Sequence, residues 1–119
     1  MRRLLLLMVI PLAAGCLLPG WAAAHAILME SQPAAQATVP PGLCEIRLRF
    51  NSRIDHARSR LALRTGQAES ALTLDPTSPA DVLATSTTLA PGTYVLRWQV
   101  LAVDGHITRG DVPLTVLIP

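Results

Sequence analysis

The sequence predicts an all-β protein, an antiparallel β-sandwich of about seven strands. Three observations favour this class. After residue 25, six or seven short segments have the apolar or alternating composition of strands, and they recur at spacings of roughly 8–12 residues. Turns that contain Pro or Gly separate most of them. No helical periodicity of useful length is present in the same region.

Residues 1–24 are predicted to be a cleaved signal peptide, which leaves 25–119 as the domain. Arg2 and Arg3 give a positive start, an apolar stretch follows, and Ala22-Ala23-Ala24 places small residues at the −3 and −1 positions of a cut before His25. The alternative is a membrane anchor. Pro and Gly interrupt the apolar stretch, and its unbroken length is short for a span.

A second processing site competes with that cut. Leu12-Ala13-Ala14-Gly15-Cys16 resembles a bacterial lipoprotein box, and lipidation of Cys16 would leave His25 inside the chain. Ala13 stands where a larger aliphatic residue is usual, so the cut before His25 is preferred. The choice matters because only an N-terminal His25 has a free α-amino nitrogen.

The first three strands are indicated by apolar runs between turn residues. A short apolar run predicts a strand over 26–29, and the Pro-rich stretch 31–42 is predicted to be a connection. Residues 44–50 alternate apolar and charged side chains, which is typical of a half-buried strand. The predicted inward side chains are Cys44, Ile46, Leu48 and Phe50. A loop over 51–58 then leads to a third strand over 60–64.

The next three strands end or begin at clear turn signals. Residues 71–74 stop at an Asp-Pro pair, and residues 82–89 form a Thr-rich strand. Residues 94–100 alternate again after a Pro-Gly turn. Tyr94 resembles the tyrosine corner of immunoglobulin-like sandwiches, in which the hydroxyl binds nearby backbone.

The last strand follows a polar segment. Residues 104–109 are predicted to be a connection and residues 112–118 a strand. Pro113 lacks a backbone N–H, which indicates an edge position or a bulge near the start of that strand.

Composition excludes some functions. Residues 25–119 contain eight Arg, no Lys and eight acidic residues, so no basic patch indicates nucleic-acid binding. Cys44 is the only cysteine in that range, so no intramolecular disulfide is possible, and its place in a strand pattern predicts a buried thiol.

Two distant segments could share one metal ion. An N-terminal His25 would offer its α-amino nitrogen and Nδ1, and Asp104 and His106 would face one side because Gly105 lets the backbone bend. Nitrogen and carboxylate donors in a tetragonal set suit Cu(II), so one Cu(II) ion is predicted at His25, Asp104 and His106. Affinity should rise with pH because the amino proton must leave. Asp-Gly-His alone is also compatible with an ordinary solvated turn.

The chain resembles the periplasmic copper-binding CopC proteins over nearly all of 25–119. The matching stretches are His25-Ala26-Ile27-Leu28, Ser31-Gln32-Pro33-Ala34, Ile46-Arg47-Leu48-Arg49-Phe50, Leu89-Ala90-Pro91-Gly92-Thr93-Tyr94, Trp98 and Val103-Asp104-Gly105-His106. The resemblance implies an immunoglobulin-like or cupredoxin-like sandwich. It also implies that His25, Asp104 and His106 bind Cu(II), with His25 acting through both nitrogens as a histidine brace.

The resemblance further implies a role. The chain is expected to be a periplasmic monomer in copper resistance or homeostasis, not an enzyme, and to pass copper to an inner-membrane importer of the CopD type. The sequence departs from the family pattern in two places, and these limit which family binding sites are expected here. Asn51-Ser52-Arg53 stands where some members have a further carboxylate ligand, and Met29 is the only methionine in 25–119, so no Cu(I) thioether site is expected.

Other interpretations stay open at this point. A histidine brace also occurs in copper-dependent oxygenases that attack polysaccharides, but those need a flat aromatic face, and 25–119 contains one Phe, one Tyr and one Trp. A metal-free interaction module with this fold would not need His25. His56, beside Asp55, is either an outer-shell or weak second ligand or an exposed loop histidine.

Overall fold

The computed structural model describes residues 25–118 and folds them into two β-sheets. Within that range the strands are β1 Leu28–Gln32, β2 Ala37–Val39, β3 Gly42–Phe50, β4 Arg60–Thr65, β5 Ala68–Ala71, β6 Val82–Leu89, β7 Gly92–Leu101 and β8 Ile107–Val116, and a 3-10 turn spans His56–Arg58. No helix among these residues is long and apolar enough to cross a membrane. The predicted signal peptide and Cys16 lie outside the described residues.

The all-β sandwich class is confirmed. One sheet has the order β1-β3-β6 and the other the order β2-β8-β7-β4-β5. Every strand pair is antiparallel except β2 with β8, which is parallel. The described chain has eight strands rather than about seven, because β2 lies inside the stretch 31–42 that was predicted to be a connection. A strand of three residues is too short to show an alternation.

The largest differences from the predicted strand bounds are in β8, β5 and β1. β8 begins at Ile107, so the predicted connection over 104–109 is wrong for its second half. Ile107 and Arg109 are exposed, and the half-buried positions next to them are Thr108 and Gly110, so this end of β8 shows no alternation of inward apolar and outward polar residues. β5 spans Ala68–Ala71 and not 71–74; all four of its residues are exposed, so no apolar pattern marks the strand in the sequence. β1 begins two residues later than predicted, at Leu28.

The core lies between the two sheets. The four inward side chains predicted for β3 are all buried, and Leu96, Trp98 and Val100 of β7 face them. The rings of Phe50 and Trp98 meet edge to face, with their centroids 5.1 Å apart. Burial raises the pKa of the Cys44 thiol, and the neighbouring Glu45 carboxylate adds to that rise. Cys44 is therefore a packed, protonated core residue at neutral pH.

One local prediction about β7 is confirmed, and one about β8 is wrong. The Tyr94 hydroxyl donates a hydrogen bond to the carbonyl oxygen of Ala90 at 2.6 Å, which is the tyrosine-corner contact. The carbonyl of Pro113 accepts from the N–H of Gln36 at 2.7 Å, on the side of β8 away from β7. β8 lies between β2 and β7 and its register with β7 is unbroken, so the predicted edge position or bulge at Pro113 is wrong. Because the N and C=O of a strand residue point to the same side, Pro113 removes no ladder bond to β7 and is tolerated inside the sheet.

Candidate metal centre

The loop that joins β7 to β8 is a tight turn. The N–H of Ala102 donates to the carbonyl of His106 at 2.8 Å, and the N–H of Gly105 donates to the carbonyl of Ala102 at 2.9 Å. Gly105 has φ +93°, a left-handed conformation that residues with a Cβ rarely adopt. The bend predicted at Gly105 is therefore present, and it brings the residues on either side of the glycine together.

Asp104 and His106 form a close pair in this turn. Asp104 Oδ1 accepts the backbone N–H of His106 at 3.1 Å, and Asp104 Oδ2 lies 2.7 Å from His106 Nδ1. The backbone N–H of His106 is the main cause that holds the pKa of Asp104 below its usual range, and the imidazole contributes to the same direction. Asp104 is therefore ionised at neutral pH, as a metal-binding or ring-orienting carboxylate must be.

His25 reaches this pair from the other end of the chain. The rings of His25 and His106 are 4.5 Å apart between centroids and nearly perpendicular, at 79°. His106 Nε2 makes no hydrogen bond to any residue in the range 25–118, and its side chain is 60% exposed. One imidazole nitrogen of His106 thus remains available beside the His25 ring.

The segment after His25 is fixed by contacts with both sheets. The side chain of Ala26 is buried in the core, and its carbonyl accepts a hydrogen bond from Thr108 Oγ1 of β8 at 2.9 Å. The N–H of Ile27 donates to Asn51 Oδ1 at 2.7 Å, and the N–H of Asn51 donates to the carbonyl of Ile27 at 2.9 Å. Sequence reasoning missed Asn51 and Thr108, because a polar side chain that bonds distant backbone leaves no local pattern.

The three predicted ligands are neighbours, but their side chains do not converge on a preformed metal site. Among residues 25–118, no group of three or more His, Cys, Asp or Glu side chains is arranged to hold a metal ion. The contacts are pairwise: His25 with His106, and His106 with Asp104. Two of the four predicted donors, the α-amino nitrogen and Nδ1, belong to His25 itself. Both nitrogens can bind one ion only if the chain is cut before His25. The α-amino nitrogen is also not a side-chain atom, so a group of side chains does not include it.

His56 lies in a different environment. It lies in the 3-10 turn, is half-buried, and its Nε2 is 2.7 Å from the carbonyl oxygen of Val82 in β6. Asp55 caps the same turn by accepting the N–H of Arg58 at 3.2 Å. These contacts give His56 a structural role, as the link between the turn and β6, which the sequence did not predict.

Comparison with known proteins identifies the family. A model of the CopC domain matches residues 28–117. The chain belongs to the CopC family. The match includes Asp104 and His106 and begins three residues after His25. It therefore covers the fold and one half of the candidate centre.

Relatives and solved structures agree with this assignment. Protein YobA of Escherichia coli K12 is 31% identical over 98 residues, which cover 78% of this chain and 79% of YobA. The crystal structure of CopC from Methylosinus trichosporium OB3b has 26% identity and a TM-score of 0.69, over 78% of this chain and 94% of that one. PcoC, a methionine-rich copper resistance protein from Escherichia coli, has 24% identity and a TM-score of 0.60, over 78% and 99% of the two chains, and supports the fold.

Family membership settles the broad class. CopC family proteins are periplasmic copper-binding proteins of a chaperone-like kind and are not enzymes. The prediction of a non-enzymatic protein is confirmed at this level, which disfavours the copper-dependent oxygenase.

Proposed function

We propose that the protein, after cleavage before His25, captures one Cu(II) ion in the periplasm through His25, Asp104 and His106. The observation that carries this proposal is the contact between the rings of His25 and His106, whose centroids are 4.5 Å apart although the residues come from opposite ends of the domain. Two imidazoles and a carboxylate are suitable donors for Cu(II). Cleavage would add the α-amino nitrogen and complete a brace.

The Asp104 contact supports different roles for the two nitrogens of His106. Asp104 Oδ2 holds Nδ1, so Nε2 is the nitrogen that would bind copper. In this arrangement the carboxylate orients the ring and supplies a negative charge that partly offsets the charge of the ion. To serve as a direct ligand, Asp104 would have to exchange its contact with Nδ1 for one with copper.

The exposure of the site supports a carrier. The His106 side chain is 60% exposed, so an ion held there would be open to a second set of ligands from a partner. We propose that the protein acts as a monomer in copper resistance or homeostasis and passes the ion to an inner-membrane importer of the CopD type.

The proposal is tested by Cu(II) titration of protein purified from the periplasm, in competition with a chelator. His25→Ala and His106→Ala should each weaken Cu(II) binding by more than about a hundredfold, since even outer-shell changes at metal sites cost 10–100-fold. Trp98, the only tryptophan in 25–119, pairs with Gly110, two residues from Thr108, and its fluorescence should be quenched by the ion.

His56→Gln is the matched control. It removes an imidazole but keeps an N–H donor for the Val82 carbonyl, so its Cu(II) affinity should equal that of the wild type. If His25→Ala left the affinity unchanged, the brace would be refuted, and a metal-free interaction module would become the better interpretation.

A further inference from the structure

The short segment Ala26-Ile27 determines where His25 lies. It precedes β1, which begins at Leu28, and it crosses the end of the sandwich between the two sheets. A chain terminus with no such contacts would be free to move. Here the two residues that follow His25 carry three hydrogen bonds to distant residues, and the Ala26 side chain is 1% exposed.

Asn51 holds the segment to the three-stranded sheet. It follows the last residue of β3, and its side-chain oxygen and backbone N–H bind the N–H and carbonyl of Ile27, at 2.7 and 2.9 Å. This reciprocal pair continues the β1–β3 ladder, in which Leu28 lies opposite Phe50. The amide oxygen of Asn51 takes the place of a backbone acceptor.

Thr108 holds the same segment to the five-stranded sheet. Its Oγ1 donates to the carbonyl of Ala26 at 2.9 Å, and it is two residues after His106 in the chain. The hydroxyl therefore ties the peptide unit next to His25 to the strand that begins just after His106. This hydrogen bond therefore connects the two chain segments that contain His25 and His106.

We infer that Asn51 and Thr108 are positioning residues of the copper site: they hold Ala26-Ile27 so that the His25 ring lies against the His106 ring. The inference rests on the proposed function for its effect on copper. Its structural part, the placement of His25, can be measured without metal. If the segment were free, copper binding would have to order it first, and that cost would lower the affinity.

The test compares periplasmic wild-type protein with Thr108→Val, Asn51→Ala and the double variant. Val has nearly the shape of Thr and fits a strand, so Thr108→Val removes the hydrogen bond with little change in packing. Thr108→Ser restores the hydroxyl, and Thr115→Val makes the same exchange at an exposed position of β8. Two quantities are measured: the nuclear Overhauser effect between the His25 and His106 ring protons in metal-free protein, and Cu(II) affinity.

Each single loss should reduce the ring-to-ring Overhauser effect and weaken Cu(II) binding by about fivefold, the value expected for one hydrogen bond. The double variant should lose the Overhauser effect and bind Cu(II) more weakly still. Thr108→Ser and Thr115→Val should stay within about twofold of the wild type.

The two proposals fail in different ways. If thermal stability fell in Thr108→Val and Asn51→Ala while the Overhauser effect and the affinity stayed at wild-type values, the two residues would be structural only, and the inference would be overturned. If the wild type showed the Overhauser effect, the variants lost it, and no form bound Cu(II), the positioning role would stand and the proposed function would fall.

Discussion

At Gly110 the lack of a side chain makes room for the only tryptophan of the described domain. A Cβ at this position would lie 2.3 Å from Cζ2 and 2.8 Å from Nε1 of Trp98. The indole lies over Gly110, opposite it in the β7–β8 pair, and packs against Phe50. Since Thr108 is the next inward residue of β8, this packing lies beside the strand segment that contacts Ala26.

The first prediction concerns Gly110→Ala. The new methyl group must displace the indole, and overpacking of this kind costs about 1–3 kcal/mol of unfolding free energy. Urea unfolding followed by circular dichroism measures the change. In a Trp98→Phe background, which lacks the indole atoms Cζ2 and Nε1 that the methyl group would meet, the same substitution should cost much less. An equal cost in both backgrounds would show that the clash with Trp98 is not the cause.

Local chemistry made part of the site predictable at the level of residues. Asp104 and His106 are separated by one glycine, so a turn that joins them is encoded within three positions of the sequence. Asn51 and Thr108 could not be found in this way. Each binds backbone atoms of a segment far away in the chain, and only the folded sheets bring them to it.

At the level of elements, β7 joins the core to the turn that carries the candidate site. It pairs with β4 on one side and β8 on the other, and Leu101 is its last residue before the turn. At its opposite end, Tyr94 is tied to Ala90 by the 2.6 Å hydrogen bond of the tyrosine corner. The corner thus fixes the entry of the chain into the central strand of the larger sheet.

The second prediction is that Tyr94→Phe lowers stability without affecting the site. One hydrogen bond contributes about 0.5–1.5 kcal/mol, and for a domain of this size each kcal/mol shifts Tm by roughly 4–8 °C. Calorimetry should show that decrease, whereas Cu(II) affinity should match the wild type because Tyr94 lies at the far end of β7. A Tm equal to that of the wild type would mean that the hydroxyl contributes nothing net.

The strands that sequence patterns predicted well are those with one buried face. β6 has the predicted bounds, and β3 contains the predicted inward residues. The alternation of apolar and polar residues failed to predict strands whose two faces are buried to a similar extent. β2 is too short, β5 is exposed throughout, and the first residues of β8 are mostly exposed.

At the scale of the whole domain, the two sheets bring the N-terminal segment and the β7–β8 turn together at one end of the sandwich. The N-terminal segment crosses the end of the two sheets, and the β7–β8 turn meets it there. The alternation of apolar residues indicated the sandwich, and the family match over 28–117 confirms it. His25 lies before the matched range, so its place beside His106 came from the resemblance and from the structure, not from the domain match.

The most direct measurement is the native mass of the protein purified from the periplasm, with and without one equivalent of Cu(II). The account predicts a chain that begins at His25 and gains the mass of one copper ion, and in competition with a chelator that gain should be lost in His25→Ala. A lipidated chain that begins at Cys16, or an unlipidated chain that binds no copper, would contradict it. In the first case His25 would have no amino nitrogen to offer, and in the second the contact between the two rings would have no function in copper capture.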